Sequence, residues 1–101
     1  MKVHRWEDIR RRHFTPKELA RLDREIEKEL VEMNLQTVRR YVGKTQIQVA
    51  KAAKMAQGDV SMAERRKDHL LSTLRRYIEA LGGEVEVRAI FGRKRIRLRG
   101  V

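Results

Sequence analysis

The stretch TQIQVAKAAKMAQGDVSMAERR, residues 45–66, decides how the rest of the chain is read. Thr45 is followed three residues later by Gln48, the spacing of a capping box. In that arrangement the threonine hydroxyl takes an orphan backbone N–H and the glutamine side chain reaches back to the cap. Val49, Ala50 and Ala53 then supply a small apolar face at helical spacing. After a polar break over residues 54–57, a second brief helix can carry Val60 and Ala63 inward. Two short helices with small residues where they cross make the helix-turn-helix plan, whose second helix is offered to the major groove of DNA.

Working outward, the chain of 101 residues predicts one domain with a modest core. Hydrophobic residues make up 41% and charged residues 39%, which predicts a folded protein with a heavily charged surface. The absence of cysteine excludes disulfides and thiolate metal sites. No apolar run approaches the ~20 residues that cross a bilayer, and MKVHRWEDIRRRH at the start has no apolar segment of the kind a signal peptide needs. A cytoplasmic, nucleoid-associated protein without a membrane partner is expected. The net charge of +11 favours a polyanionic partner over a basic surface kept for solubility. That charge is uneven. Residues 17–32 hold six acids against four bases, whereas residues 70–101 hold eight bases against three acids.

The first 13 residues are expected to be irregular and basic, with Trp6 and Ile9 spaced for one helical turn docking on the core. His4 and His13 have no partners at metal-ligand spacing and read as surface histidines. Arg10-Arg11-Arg12 either touches phosphate or is a solvated run. Thr15-Pro16 with Glu18 signals a helix start. Leu19, Leu22, Ile26, Leu30 and Met33 follow at spacings of three and four, which predicts one amphipathic helix of about five turns with its leucines and isoleucine facing the core. Asn34 can break or re-cap the helix, Leu35, Val38 and Tyr41 or Val42 form the next stripe, and Gly43 stops it. Residues 70–81 form a closing helix with Leu71, Leu74, Ile78 and Leu81 on its core face, Tyr77 beside them, and Gly82-Gly83 ending it. Residues 84–89 and 95–99 alternate strictly and are joined by a turn over 91–94, which predicts a β-hairpin. Val85, Val87, Ile96 and Leu98 are expected inward and the arginines outward. A lone hairpin is marginal in water, so it should pack on helices or pair across a dimer.

Thr45-Gln46, Val49-Ala50, Val60-Ser61 and Glu64-Arg65 resemble the helix-turn-helix of the Xre/Cro repressor superfamily. The run LLSTLRRYIEALGGEVEV, residues 70–87, is similar to the continuation found in HigA-type antitoxins of type II toxin–antitoxin pairs. Its LSTLRRYIEALGG portion is the more specific match, and together the two cover about half of the chain. The resemblance implies a mainly α-helical, lambda-repressor-like helix-turn-helix bundle with a long N-terminal helix and a C-terminal β-hairpin. It divides into an N-terminal extension (1–33), a helix-turn-helix DNA-binding domain (34–82) and the hairpin (83–101), one compact domain overall.

The same resemblance places Gln46 at a phosphate and base-reading side chains at Gln57, Gly58, Asp59, Ser61 and Met62. Chemically, Gln57 can pair with adenine, Asp59 can accept from cytosine, and Met62 can touch a thymine methyl. Lys51, Lys54, Arg65 and Arg66 are the phosphate neutralisers. Three positions depart from the pattern. Lys54 stands where the family has glycine and is expected to take a left-handed conformation. Ala56 replaces the usual serine cap, and Met62 replaces a basic residue. Gly58 weakens the second helix further.

Catalysis is not expected. Glu25 and Glu29 have no cleft or base beside them, Asp68 and His69 are adjacent on the chain and so do not face each other on a helix, and no glycine loop cradles phosphate. No cofactor and no metal are expected. The function implied is an antitoxin and autorepressor, a homodimer whose partners are operator double-stranded DNA and a cognate RelE-like mRNA-endonuclease toxin. Asp23, Glu25, Glu29 and Glu32, in the one net-acidic segment, are the candidates to meet a basic toxin. The alternative is a stand-alone Xre-family transcriptional regulator without a toxin. An RNA-binding role for the arginine-rich hairpin is disfavoured by its lack of stacking aromatics, Phe91 apart.

Overall fold

The computed structural model describes residues 5–101, with side chains from Glu7 onward. Among these residues, six helices precede a two-stranded antiparallel hairpin. His4 and the expected docking of Trp6 lie outside what is described.

Helix α1 spans Arg5–His13, where an irregular start was expected. Glu7 and Asp8 occupy its first turn and basic residues its last, so each end complements the helix dipole. Ile9 is buried and packs the helix on α3, Leu35–Val42. Between them lies α2, Pro16–Glu27, opened by a complete capping box: Thr15 N–H donates to Glu18 Oε1 at 2.9 Å and Glu18 N–H to Thr15 Oγ1 at 3.1 Å.

The single helix of about five turns is not formed, because α2 stops at Glu27. Glu29 takes a left-handed conformation, φ 58°, and Leu30 N–H closes on the Glu25 carbonyl at 2.9 Å. This is a Schellman stop built on a non-glycine residue. Electrostatics favour it, since Glu25, Glu27 and Glu29 would all oppose the C-terminal dipole of a longer helix. In consequence Leu22 is buried, but Ile26 is 38% and Leu30 70% exposed, so the apolar stripe does not run on into the core as expected.

The next three helices follow the punctuation of the sequence. Asn34 caps α3 by accepting from Thr37 N–H at 2.8 Å, and Gly43, φ 87°, ends it. Helix α4, Gln46–Ala53, starts with the Thr45–Gln48 capping box and ends at Lys54, whose φ of 56° and ψ of 48° are left-handed as expected. Helix α5, Gln57–Arg65, begins at Ala56 without a side-chain cap. Helix α6, Leu71–Ala80, packs on α4. The core gathers Val49, Ala50, Val60, Tyr77 and Leu81, with Leu35, Val38, Val42 and Met55 packed against it. Tyr77 is therefore at the centre of the core and not beside it, while Leu71, Leu74 and Ile78 are half-buried. A phenol can be fully enclosed there because its hydroxyl finds partners.

Strands β1, Arg88–Phe91, and β2, Lys94–Arg97, pair with Ala89 opposite Ile96 and Phe91 opposite Lys94. The ladder is shorter than the alternation suggested, and the turn narrows to Gly92-Arg93. Gly92 at φ 63° supplies the backbone that a two-residue hairpin loop requires. By register, Val87, Ala89, Phe91, Ile96 and Leu98 share one face, and this face is open: Phe91 is 66% and Ile96 48% exposed. The opposite, charged face is the one engaged with the chain. Arg95 and Arg88 meet Glu29 at 3.2 and 4.0 Å. The arginines are exposed, as expected, and Val85 and Val87 are half-buried, but Ile96 and Leu98 stay exposed, so the apolar face is only partly covered. Arg75 of α6 also donates to the Val85 carbonyl at 3.4 Å and to that of Val101.

Candidate nucleic-acid interface

Helices α4 and α5 pack through Ala50, Ala53, Val60 and Ala63, all buried. Small side chains at this crossing let the two short helices approach closely, and they divide α5 into two faces. Val60, Ala63 and the carboxylate of Glu64 turn inward, with the Glu64 side chain only 2% exposed. Gln57, Gly58, Asp59, Met62 and Arg65 are exposed and Ser61 is half-buried, so the residues expected to read bases form one outward surface. Lys51, Lys54 and Arg66 are exposed around it. A groove of about 340 Å³ runs beside this surface between α5 and α6, where Lys54, Arg66 and Arg76 surround Asp59 and Met62.

What fixes the pose of α5 is a buried polar network that the sequence reading did not assemble. Arg39 of α3 is buried, and it donates from Nε to Glu64 Oε2 at 2.6 Å and from Nη2 to Oε1 at 3.1 Å. Its Nη1 takes the Lys44 carbonyl at 2.9 Å. The Tyr77 hydroxyl donates to Glu64 Oε2 at 2.6 Å and also lies 3.1 Å from the Leu35 carbonyl. Gln46 Nε2 completes the set at 3.0 Å from Glu64 Oε1. One carboxylate thus ties α3, α4 and α6 to α5.

Burial alone would raise the Glu64 pKa, but hydrogen bonds from Arg39, Tyr77 and Gln46 outweigh it and hold the carboxyl below its usual range. Burial also opposes the charge on Arg39, and the Glu64 hydrogen bonds again prevail. For Tyr77, burial and then donation to Glu64 both push the phenol up. A periodicity signal for this network existed: Arg39 follows Leu35 by four residues and precedes Val42 by three, which puts a charge on an inward stripe. A charge so placed needs a partner, since an unpaired buried ion is costly.

Gln46, expected at a phosphate, gives one amide hydrogen to Glu64 and lines the groove at the start of α4. The left-handed Lys54 has support of its own. Arg76 Nη2 donates to the Ala53 and Lys54 carbonyls at 2.7 and 3.0 Å, satisfying the C-terminal end of α4 with a cation.

The acidic candidates are less coherent. Asp23 accepts from the Tyr41 hydroxyl and lies 3.8 Å from Arg10. Glu25 pairs with Arg21 at 3.0 Å, Glu29 holds the hairpin arginines, and Glu32 is exposed beyond the helix end. Among the described residues, no group of His, Asp and Glu could hold a metal ion, and no helix is long and apolar enough to cross a membrane.

No protein-family model matches the chain, and no curated protein matches it in sequence. Solved structures do. The chain is similar to a HigA antitoxin described as inducing DNA bending by a unique dimerization, with 31% identity and a TM-score of 0.62 over 67% of this chain and 93% of that one. It is similar also to the DNA-bound antitoxin HigA3, with 30% identity and a TM-score of 0.65 over 70% of this chain and 95% of that one. With the helix-turn-helix pair, its outward-facing α5 and this likeness together, the chain belongs to the HigA-type antitoxin family.

Proposed function

We propose that this chain is a DNA-binding antitoxin that represses its own operon as a dimer and silences a cognate RelE-like mRNA-endonuclease toxin. The observation that carries the DNA-binding part is the open face of α5 on a fold matched by DNA-bound HigA relatives. Gln57, Gly58, Asp59, Ser61 and Met62 face the base edges in this reading. Gly58 admits close approach, Gln57 and Asp59 supply polar readout, and Met62 supplies apolar contact. Lys51, Lys54, Arg65 and Arg66 neutralise phosphates on either side. Gln46 acts through Glu64, by joining α4 to α5, and contributes orientation to the phosphate side.

Toxin neutralisation falls to the acidic surface of α2 and the turn after it, through Asp23, Glu25, Glu29 and Glu32. An RNA-cleaving partner must be basic to hold its substrate, and this segment is the net-acidic one in a basic chain. Toxin arginines would exchange with Arg21, Arg88 and Arg95, which now occupy Glu25 and Glu29.

The test is co-expression with the product of the adjacent reading frame. Rescue of growth and co-purification are expected, and reversal of Glu25 and Glu29 to lysine should abolish rescue while sparing DNA binding. An adjacent product that is neither toxic nor bound would leave a stand-alone regulator. Rescue that survives the double reversal would move the neutralising surface off α2.

A further inference from the structure

We propose that the last turn of α1 adds a second phosphate-binding surface to the helix-turn-helix, in which Arg12 and His13, with Arg40 and Lys44, grip the DNA backbone beside the stretch that α5 reads. The inference rests on the DNA-binding reading above and extends it to a helix outside the helix-turn-helix.

Placement is the first argument. Buried Ile9 docks α1 on α3, and this brings Arg12 and His13 to the rim of a groove of about 280 Å³ shared with Arg40, Lys44, Gln46 and Gln57. Gln46 is the first residue of α4 and Gln57 the first of α5. In helix-turn-helix docking the recognition helix enters the major groove by its N-terminal residues, while the helix before it crosses the backbone. A duplex seated on α5 therefore runs its sugar-phosphate edge past this groove.

Charge is the second argument. Arg10 and Arg11 pair with Glu7, Arg21 with Glu25, Arg39 with Glu64, and Arg88, Arg95 and Arg97 with Glu29 or Glu86. Arg12, Arg40 and Lys44 have no carboxylate within ion-pair distance among the described residues, although they stand together. Uncompensated like charge disfavours the compact state through self-repulsion, and a polyanion removes that cost. The run Arg10-Arg11-Arg12 is thereby divided: two members are held within the chain and the third is left facing the groove.

His13 gives the surface a signature. Its charged neighbours are Arg12 on α1, Arg39 and Arg40 on α3, and Lys44 at the rim of the same groove. Burial, then Arg40, Arg12 and Arg39, lower its pKa and keep the ring neutral near pH 7. A phosphate in the groove opposes that field and favours the imidazolium. DNA binding is then coupled to proton uptake at this residue.

The surface reads phosphate and not sequence, so the probe is a fluorescent duplex of about 30 base pairs of mixed sequence, titrated between about 50 and about 200 mM salt. Replacing Arg12 and Arg40 together by glutamine should reduce the slope of log affinity against log salt by about 2, so the loss is about tenfold greater at the lower salt. Arg12→Gln alone, at an exposed position, should reduce the slope by about 1 without changing the melting temperature. Lysine at both positions should keep the slope. Affinity should rise between about pH 8 and about pH 6, and His13→Gln should flatten part of that rise. An unchanged slope in both glutamine variants, with Lys54→Gln still lowering it, would overturn this surface and leave the α5 reading intact. If Lys54→Gln were silent as well, both would fall. A lysine variant as impaired as the glutamine one would make the role structural and overturn the proposal.

Discussion

The Arg39 guanidinium meets the Glu64 carboxylate through two nitrogens, Nε 2.6 Å from Oε2 and Nη2 3.1 Å from Oε1, with both side chains almost wholly buried. The pair joins α3 to α5 and is largely shielded from solvent. Removing one partner strands the other charge, so Glu64→Ala should destabilise the fold by about 3–5 kcal/mol in urea unfolding. Replacing Arg39 and Glu64 together by apolar residues of similar volume should recover most of that loss. A Glu64→Ala protein as stable as the wild type would show that α5 is held by apolar packing alone.

The same network sets the pH range of stability. The folded carboxyl of Glu64 titrates below its unfolded value of about 4.3, so its contribution is complete above that pH and is lost as pH falls through the folded pKa. Tyr77 works in the opposite direction: its folded phenol titrates above the unfolded value of about 10, so stability declines as pH rises past that point. Melting temperatures measured across pH should fall at both ends, and Glu64→Gln should make the acid limb shallower. An acid limb unchanged in that variant would assign it to other carboxylates.

The turn between α4 and α5 carries two local penalties that substitution should lift. Lys54→Gly removes the left-handed strain and should stabilise by roughly 0.5–1 kcal/mol, net of the entropy glycine loses on folding. Ala56→Ser restores a cap worth about 1 kcal/mol. The two differ on DNA: Lys54→Gly should weaken all duplexes alike by removing a cation, whereas Ala56→Ser should not. Thermal melts paired with binding isotherms check both.

The hairpin should matter more to assembly than to the protomer. Phe91, Ile96 and Leu98 on its apolar face are exposed, and its links to the helical part are exposed ion pairs with Glu29, after α2, and the Arg75 bond to Val101, which contribute little to stability. Deleting residues 88–101 should leave the melting temperature of the helical part nearly unchanged and dissociate the dimer in sedimentation experiments. A truncated protein that stayed dimeric would place the dimer contact on the helices.

How much of this was legible beforehand followed from where the determinants lie. Caps and stops are local, so Thr15, Asn34, Thr45 and Gly43 could be read directly from residue type and spacing, whereas the left-handed Lys54 was implied only by the family resemblance. The stop at Glu29 was hidden because the apolar spacing continues through Leu30, and only the accumulating carboxylates argued against a longer helix. Tyr77 looked peripheral because its environment depends on a hydrogen bond to Glu64, 13 residues away in sequence. The hairpin alternation showed that two faces exist, but the exposed ion pairs of Arg88 and Arg95 with Glu29 depend on a residue far away in sequence. On α5, Val60 and Ala63 marked the inner side, and the residues placed outward by the family resemblance are those left opposite them. The carboxylate of Glu64 joins that inner side only because Arg39 comes in from another helix.

The most direct measurement of the central claim is the affinity of the Gln57→Ala protein for the DNA upstream of its own gene, set against a scrambled duplex of equal length and salt. If α5 reads bases, the substitution should cost about 1–3 kcal/mol on the upstream DNA and almost nothing on the scrambled one. Equal losses on both duplexes, or none on either, would contradict it.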